Sequence, residues 1–194
     1  LTLTSWIGLA LIAFNLVIFL AGPLLAPYGQ EETMGAPFAA PSAEHLLGLD
    51  QNGRDMLSRM LYGAQLSIGV SLLAVGLSFS IGVPLGVVAA IRGGATDIVM
   101  SRIVDAIMSV PVLISALVVL QALGSSLPVL TITIGLLDST RVFRLSRILA
   151  QGINAMEYAE VARLRGEGLV WMIRKEILPN AMPPLVAEFG LRFC

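Results

Sequence analysis

The 194-residue chain has one cysteine, one histidine and one lysine. A single cysteine, Cys194, rules out an internal disulfide and any cysteine metal cluster. His45 alone does not make a histidine metal site, and the sequence offers no Ser/His/Asp or Cys/His set for nucleophilic catalysis. The lone lysine, Lys175, stands in "IRKEI" and not in G-x-x-x-x-G-K-[ST], so any nucleotide this protein depends on is bound by another chain. Charge is scarce as well. Charged residues make up 13% of the chain, against about 25% in an ordinary soluble domain. The net charge of -1 gives no basic field for nucleic acid. The chain is instead 56% hydrophobic, which predicts an all-α, polytopic membrane protein, a bundle of transmembrane helices in a lipid bilayer.

A bilayer core needs about 20 apolar residues of helix. Ser5–Ala26 supplies a first span, flanked by Pro23 and Pro27. It is too long for a signal-peptide core and lacks a clear small-residue cleavage site, so it reads as an anchor. Leu66–Ile91 is a second span without a charge, and Gly69, Gly76, Gly82 and Gly86 suit close helix contacts. Ala106–Leu137 is uncharged and too long for one helix; the turn signal "GSSLP" divides it. A third span is expected over about Ile98–Leu123 and a fourth over about Val129–Ala150, with Pro84 and Pro111 kinking spans two and three. A fifth begins near Ala181. The sequence opens at Leu1 without a methionine and stops at Cys194 in a new apolar stretch, so a piece of a longer subunit of five to six spans is expected.

Residues 28–65 hold two arginines, Arg54 and Arg59, against five acids. Nine of the twelve Lys and Arg residues lie in 92–102 and 141–180. The positive-inside rule therefore puts 28–65 outside and the N-terminus in the cytoplasm. Within "GRDMLSRMLYGA" (Gly53–Ala64), Met56, Leu57, Met60, Leu61 and Ala64 share a helical face. Two readings are open for it: a helix lying at the outer interface, or the first turns of the second span. The expected organisation is an N-terminal transmembrane helix (1–27), an outer segment with an interfacial helix (28–65), and a core (66–194) that includes an inner loop (151–180).

That inner loop carries the polar island "YAEVARLRGEGLVWMIRKEILPN" (Tyr158–Asn180), with seven charged residues. Tyr158, Val161, Ala162 and Arg165 recur at helical spacing. Gly166 and Gly168 then break the helix. A second short helix, Leu169–Leu178, is expected to stop before Pro179, because the residue before proline avoids the α region. A helix–turn–helix on the inner side, fused to a span at each end, cannot line a pore. It can serve as a handle that another protein grips.

Glu160-Val161-Ala162, Gly166 and Leu178-Pro179 stand at the spacing of the "EAA" loop, and the island resembles that loop of ABC importer permeases. Tyr158, Arg163 and "ILPNAMPP" (Ile177–Pro184) are similar to the peptide and nickel transport branch. "LGLDQNGRDMLSRMLYGA" (Leu47–Ala64) resembles a segment near the start of that branch's C-type permease, and Arg144 and Arg147 match an R-x-x-R ahead of the loop. The chain departs from the generic pattern at Val161 and Glu176. The resemblance covers about residues 45–190 and implies a type I permease fold without a cofactor of its own. It implies a second homologous permease subunit, two ATPase subunits that bind ATP and magnesium, and a periplasmic or extracellular substrate-binding protein. It also implies a bacterial inner-membrane location and uptake of di- or oligopeptides or a related solute such as a nickel chelate. Tyr158, Glu160, Ala162, Arg163, Gly166, Leu178 and Pro179 would then form the ATPase-coupling set. Glu160 would offer a carboxylate to a basic partner, and the small residues at 162 and 166 would admit its close approach.

Two further charge pairs stand out. Arg102 and Asp105, three residues apart, are expected to pair at the inner interface. Asp138 falls near the middle of the fourth span, where an ionisable group is costly and faces the bundle interior or a watery path. Arg141, one turn away, is its expected partner. These two residues are the candidates for a translocation path; an internal ion pair or a contact to a neighbouring subunit are the other readings. An ATP-independent channel or scaffold is the rival function, and an intramembrane hydrolase a third.

Overall fold

A computed structural model describes residues 3–194, so Leu1 and Thr2 of the expected N-terminal segment lie outside the described residues. The described residues form helices without a named strand; two isolated antiparallel bridges, Thr33 with Arg54 and Leu49 with Asp55, occur between α1 and the start of α2. The chain divides into two compact units, Leu1–Val70 and Ser71–Cys194.

In the first unit, α1 (Leu3–Leu25) is apolar around its circumference and long enough to cross a membrane. The segment after it is tied to the start of α2 (Met56–Arg92) by polar side chains. Asp55 caps that helix: its Oδ2 accepts from the Ser58 backbone N–H and hydroxyl, both at 2.8 Å. Its Oδ1 lies 3.1 Å from His45 Nδ1, and the His45 ring stacks at a tilt on Tyr28. Asp50 Oδ1 accepts from the backbone N–H of Asn52 (2.7 Å) and Arg54 (3.0 Å), and its other oxygen pairs with Arg59. Gly48 and Gly53 hold positive φ, and a side chain at Gly48 would strike the Ala39 carbonyl at 2.6 Å. His45 is thus part of the clasp that closes the segment between α1 and α2.

α2 runs unbroken for 37 residues, about 55 Å at 1.5 Å per residue, well beyond a bilayer core of roughly 30 Å. Of the two readings for Gly53–Ala64, the structure has the second: Met56–Ala64 are the opening turns of α2, not a separate interfacial helix. Pro84 sits inside this continuous helix.

The second unit is built on close contact between α2 and α5 (Leu127–Asn154). A Cβ added at Gly82 would lie 2.7 Å from the Ser139 carbonyl oxygen, and one at Gly135 would lie 3.0 Å from the Ala74 carbonyl. Ser146 Oγ reaches the Gly82 carbonyl at 3.1 Å. Gly82 and Gly86 therefore form the small-xxx-small stripe that brings two backbones together, while Gly76 has open space around it within this chain.

The expected third span is broken. α3 (Gly94–Met108) and α4 (Val112–Leu123) meet at an angle of 79°. Pro111 is extended (φ −54°, ψ 130°) where a kinked helix would keep α angles, and it starts α4 afresh. Among the described residues, two helices are long and apolar enough to cross a membrane, or up to three if the bent pair counts as one span. α5 falls outside that count because Asp138, Arg141, Arg144 and Arg147 lie along it.

After α6 (Glu157–Leu164) and a turn, the chain enters α7 (Leu169–Trp171), a π-helical segment (Met172–Ile177) and α8 (Leu178–Phe193) without interruption. Pro179 therefore does not end the helix. Leu178 holds α angles (φ −61°, ψ −46°) despite preceding proline. A proline ring clashes with the carbonyl four residues back; the wider π turn that precedes it offers the room an α turn denies.

Candidate functional site

α6 starts with Glu157 and Glu160 in its first turn and ends with Arg163 in its last, both favourable to the helix dipole. Arg163 also bonds Asn154 Oδ1 at the end of α5. Gly166 takes a left-handed φ of 79° just past the C-cap. Its N–H donates to the Arg163 carbonyl (2.9 Å) and that of Glu167 to the Ala162 carbonyl (3.2 Å), the paired bonds of a Schellman ending. The glycine signal in the sequence thus has a local cause at Gly166. Gly168 sits in ordinary extended backbone (φ −78°).

The buried face of α6 is made by its alanines. Ala159 and Ala162 are buried against Met172, with Trp171 packed beside them. Tyr158 and Val161 face outward at 42% and 43% exposure, and Leu164 at 82%. Ala162 therefore does not admit a partner; its small size lets α6 lie close on the π segment. Glu160 is exposed, Leu178 half-buried and Pro179 exposed. A short helix with a dry inner face thus carries three large apolar side chains outward beside a free carboxylate.

This handle is rooted in the bundle. Ile177 of the π segment is fully buried with Val87 and Ala90 of α2 and Ala150 of α5, and Ile173 packs against the same cluster. No loop separates that anchor from α8.

Three ion pairs join distant parts of the second unit. Arg147 reaches Asp97 with both Nε and Nη2, the latter 2.5 Å from Asp97 Oδ2. Arg144 Nη2 donates to Asp105 Oδ1 at 2.5 Å. Asp105 thus pairs with α5, not with Arg102 on its own helix. Asp138 has Arg141 Nη1 at 4.0 Å, a loose contact, and Arg192 Nη1 of α8 at 2.5 Å. Arg192 was missed in the sequence because it sits in an apolar stretch 54 positions away.

The clasp at the start of α2 shows the electrostatics of a capped acid. Burial raises the pKa of Asp55, but the hydrogen bonds from Ser58 and the contact with His45 together bring it below the usual carboxylate value. Asp50 is also lowered, first by the Arg54 N–H, against the opposing effect of burial, and then by Asn52 and Arg59.

Several known proteins resemble this chain along nearly its whole length. The chain is 30% identical over 192 residues to the dipeptide transport system permease protein DppC of Haemophilus influenzae, covering 95% of this chain and 65% of that protein. It is 32% identical to the probable D,D-dipeptide transport system permease protein DdpC of Escherichia coli, over 98% of this chain and 63% of the relative. A putative peptide transport system permease protein of Brucella suis is 35% identical over 96% of this chain and 63% of its own length. The chain thus spans less than two thirds of the length of these relatives. Residues 82–194, more than half of the chain, match the family described as binding-protein-dependent transport system inner membrane component, and this chain belongs to that family.

Proposed function

We propose that this chain is one of two homologous membrane subunits of an ATP-driven importer of di- or oligopeptides, and that residues 151–180 couple it to a pair of ATPase subunits that hold ATP and magnesium. A substrate-binding protein outside the inner membrane delivers the solute. The arginine and lysine bias places the N-terminus and 151–180 in the cytoplasm and 28–65 outside. Relatives of this chain are named as dipeptide permeases, which supports the substrate class.

The observation that carries the reading is the outward apolar face of α6, Tyr158, Val161 and Leu164, on a helix whose other face is dry. Exposed apolar side chains in one patch mark a protein contact, and this patch belongs to an element that cannot itself line a pore. Motion of the ATPase pair enters at α6, passes through Met172 and Ile177, and reaches α5 and α8, which switch the path between its two openings. Asp138 and Arg141 border that path.

Glu160→Lys in the assembled importer is expected to leave ATP hydrolysis running while uptake is lost. Cysteines placed at Val161 or Leu164 are expected to cross-link to an ATPase subunit. Full reactivity of those cysteines toward a membrane-impermeant thiol reagent in the complete complex, together with normal uptake by Glu160→Lys, would refute the coupling role. Uptake that proceeds without nucleotide would favour the channel.

A further inference from the structure

α5 and α8 each carry charge at matching depth. Asp138 lies sixteen residues before the end of α5 and Arg192 fourteen after the start of α8, roughly 24 Å and 21 Å along their helices at 1.5 Å per residue. The two side chains close on each other there at 2.5 Å. Arg192 also holds Glu188 through Nη2 at 2.7 Å. Beside this group is a cavity of about 290 Å³. Asp138, Arg141 and Arg192 line it, with apolar walls from Ala74, Val75 and Ile134.

The hydrogen-bonding capacity of this cavity is unbalanced. A guanidinium has five N–H donors and a carboxylate about four acceptor sites. Arg192 spends Nη1 on Asp138 and Nη2 on Glu188, yet its Nε is buried without a partner among the described residues. Arg141 is half exposed and touches Asp138 only at 4.0 Å, so its fork stays open. Both contacts to Asp138 use Oδ1, and Oδ2 keeps its acceptor sites. An orphaned guanidinium donor in an apolar bundle calls for an acceptor, and the planar fork of arginine suits a carboxylate. The spare oxygen of Asp138 suits an ammonium.

We propose that this cavity is a binding site for a small zwitterion, in which Arg141 and Arg192 hold the solute's carboxylate and Asp138 its ammonium group. The proposal rests on the importer reading above and adds where, and through which charges, the membrane subunit itself selects its solute. An unblocked dipeptide carries both groups. An amidated or acetylated one lacks one of them and leaves a charged side chain unpaired, which is how a polar site rejects a near neighbour.

The test uses the assembled importer in proteoliposomes with its delivery protein and ATP. Alanyl-alanine is the transported probe; alanyl-alanine amide and N-acetyl-alanyl-alanine are competitors. The delivery protein is the same in every arm, so only a change between permease variants reads the cavity. Arg141→Gln and Arg192→Gln are expected to lower the preference for the free carboxylate over the amide by about tenfold to a hundredfold, the worth of a charge-assisted hydrogen bond. Asp138→Asn is expected to do the same to the preference for the free ammonium. Asp138→Arg combined with Arg192→Asp rebuilds the helix-to-helix pair with its charges exchanged. Recovery of uptake with unaltered preferences in that double variant means the pair only joins α5 to α8, and overturns the site. Unchanged preferences in the single variants, with ATP-driven uptake intact, also overturn it. Absence of ATP-driven uptake by the unmodified importer refutes the importer reading instead. In that case the site is judged by thermal unfolding of the purified complex: protection by millimolar alanyl-alanine that Arg192→Gln abolishes supports it, and no protection overturns it.

Discussion

Gly86→Ala is the smallest change that tests the helix contact at the centre of the second unit. A methyl group at Gly86 would lie 2.5 Å from the Phe143 carbonyl oxygen and 2.9 Å from the Arg147 nitrogen, and it would also strike the Ser146 hydroxyl. The first two are backbone atoms of α5, so no side chain can swing aside. Ordinary contact for such atoms is about 3.5 Å, so α2 and α5 must part by roughly 1 Å. Overpacking of this kind costs about 1–3 kcal/mol. Against it stands a gain of up to about 1 kcal/mol from replacing glycine with alanine in a helix. Gly76→Ala, in the same helix with no heavy atom within 4 Å of the added carbon in this chain, receives the gain without the clash. Denaturant unfolding of the purified protein in detergent is expected to rank Gly76→Ala above the parent and Gly86→Ala below it, the two separated by about 1–3 kcal/mol. Equal stability of the two variants would refute the claim that this glycine is there for backbone approach.

Asp97→Asn leaves both arms of the Arg147 fork without a carboxylate and is expected to cost about 1.5–3 kcal/mol, the range for a hydrogen bond to a charged group, read from the same unfolding curves. Acid tests the Asp55 clasp: the pKa of Asp55 is depressed in the folded state, so its contribution is complete above the ordinary carboxylate value of about 4 and is lost as pH falls through the folded value. Proteolysis within 28–65 is expected to rise only below about pH 4, and Asp55→Asn to show a high rate already at neutral pH. Gly166→Ala forces a side chain into a left-handed position and is expected to cost about 1 kcal/mol, seen as faster backbone exchange in α6.

Much of this fold could be read from local pattern, and the failures share a cause. The apolar runs announce α1 and α2, the turn signal "GSSLP" marks the start of α5, and Glu160 to Gly166 announce a helix that ends on glycine. What a window of neighbours cannot supply is the partner from elsewhere. Asp105 has Arg102 three places away and bonds Arg144 instead, 39 positions off; Asp97 and Arg147 are 50 apart. Local reading gave Asp138 to Arg141, yet the close contact comes from Arg192. The buried face of α6 is hard to read from sequence because eight residues are barely two turns and two alanines decide its packing. Pro111 and Pro179 carry the same letter and opposite outcomes. One sits at a 79° break, the other follows a widened turn that absorbs its ring.

The unbroken helical run from Leu169 to Phe193 is anchored at Ile177, which is buried among residues of α2 and α5. With Arg192 about 21 Å beyond Leu178, a tilt of about ten degrees at that anchor would displace the guanidinium by about 4 Å, enough to sever its 2.5 Å grip on Asp138. A slight tilt of α8 would thereby be magnified into the making or breaking of a single charged latch between two helices.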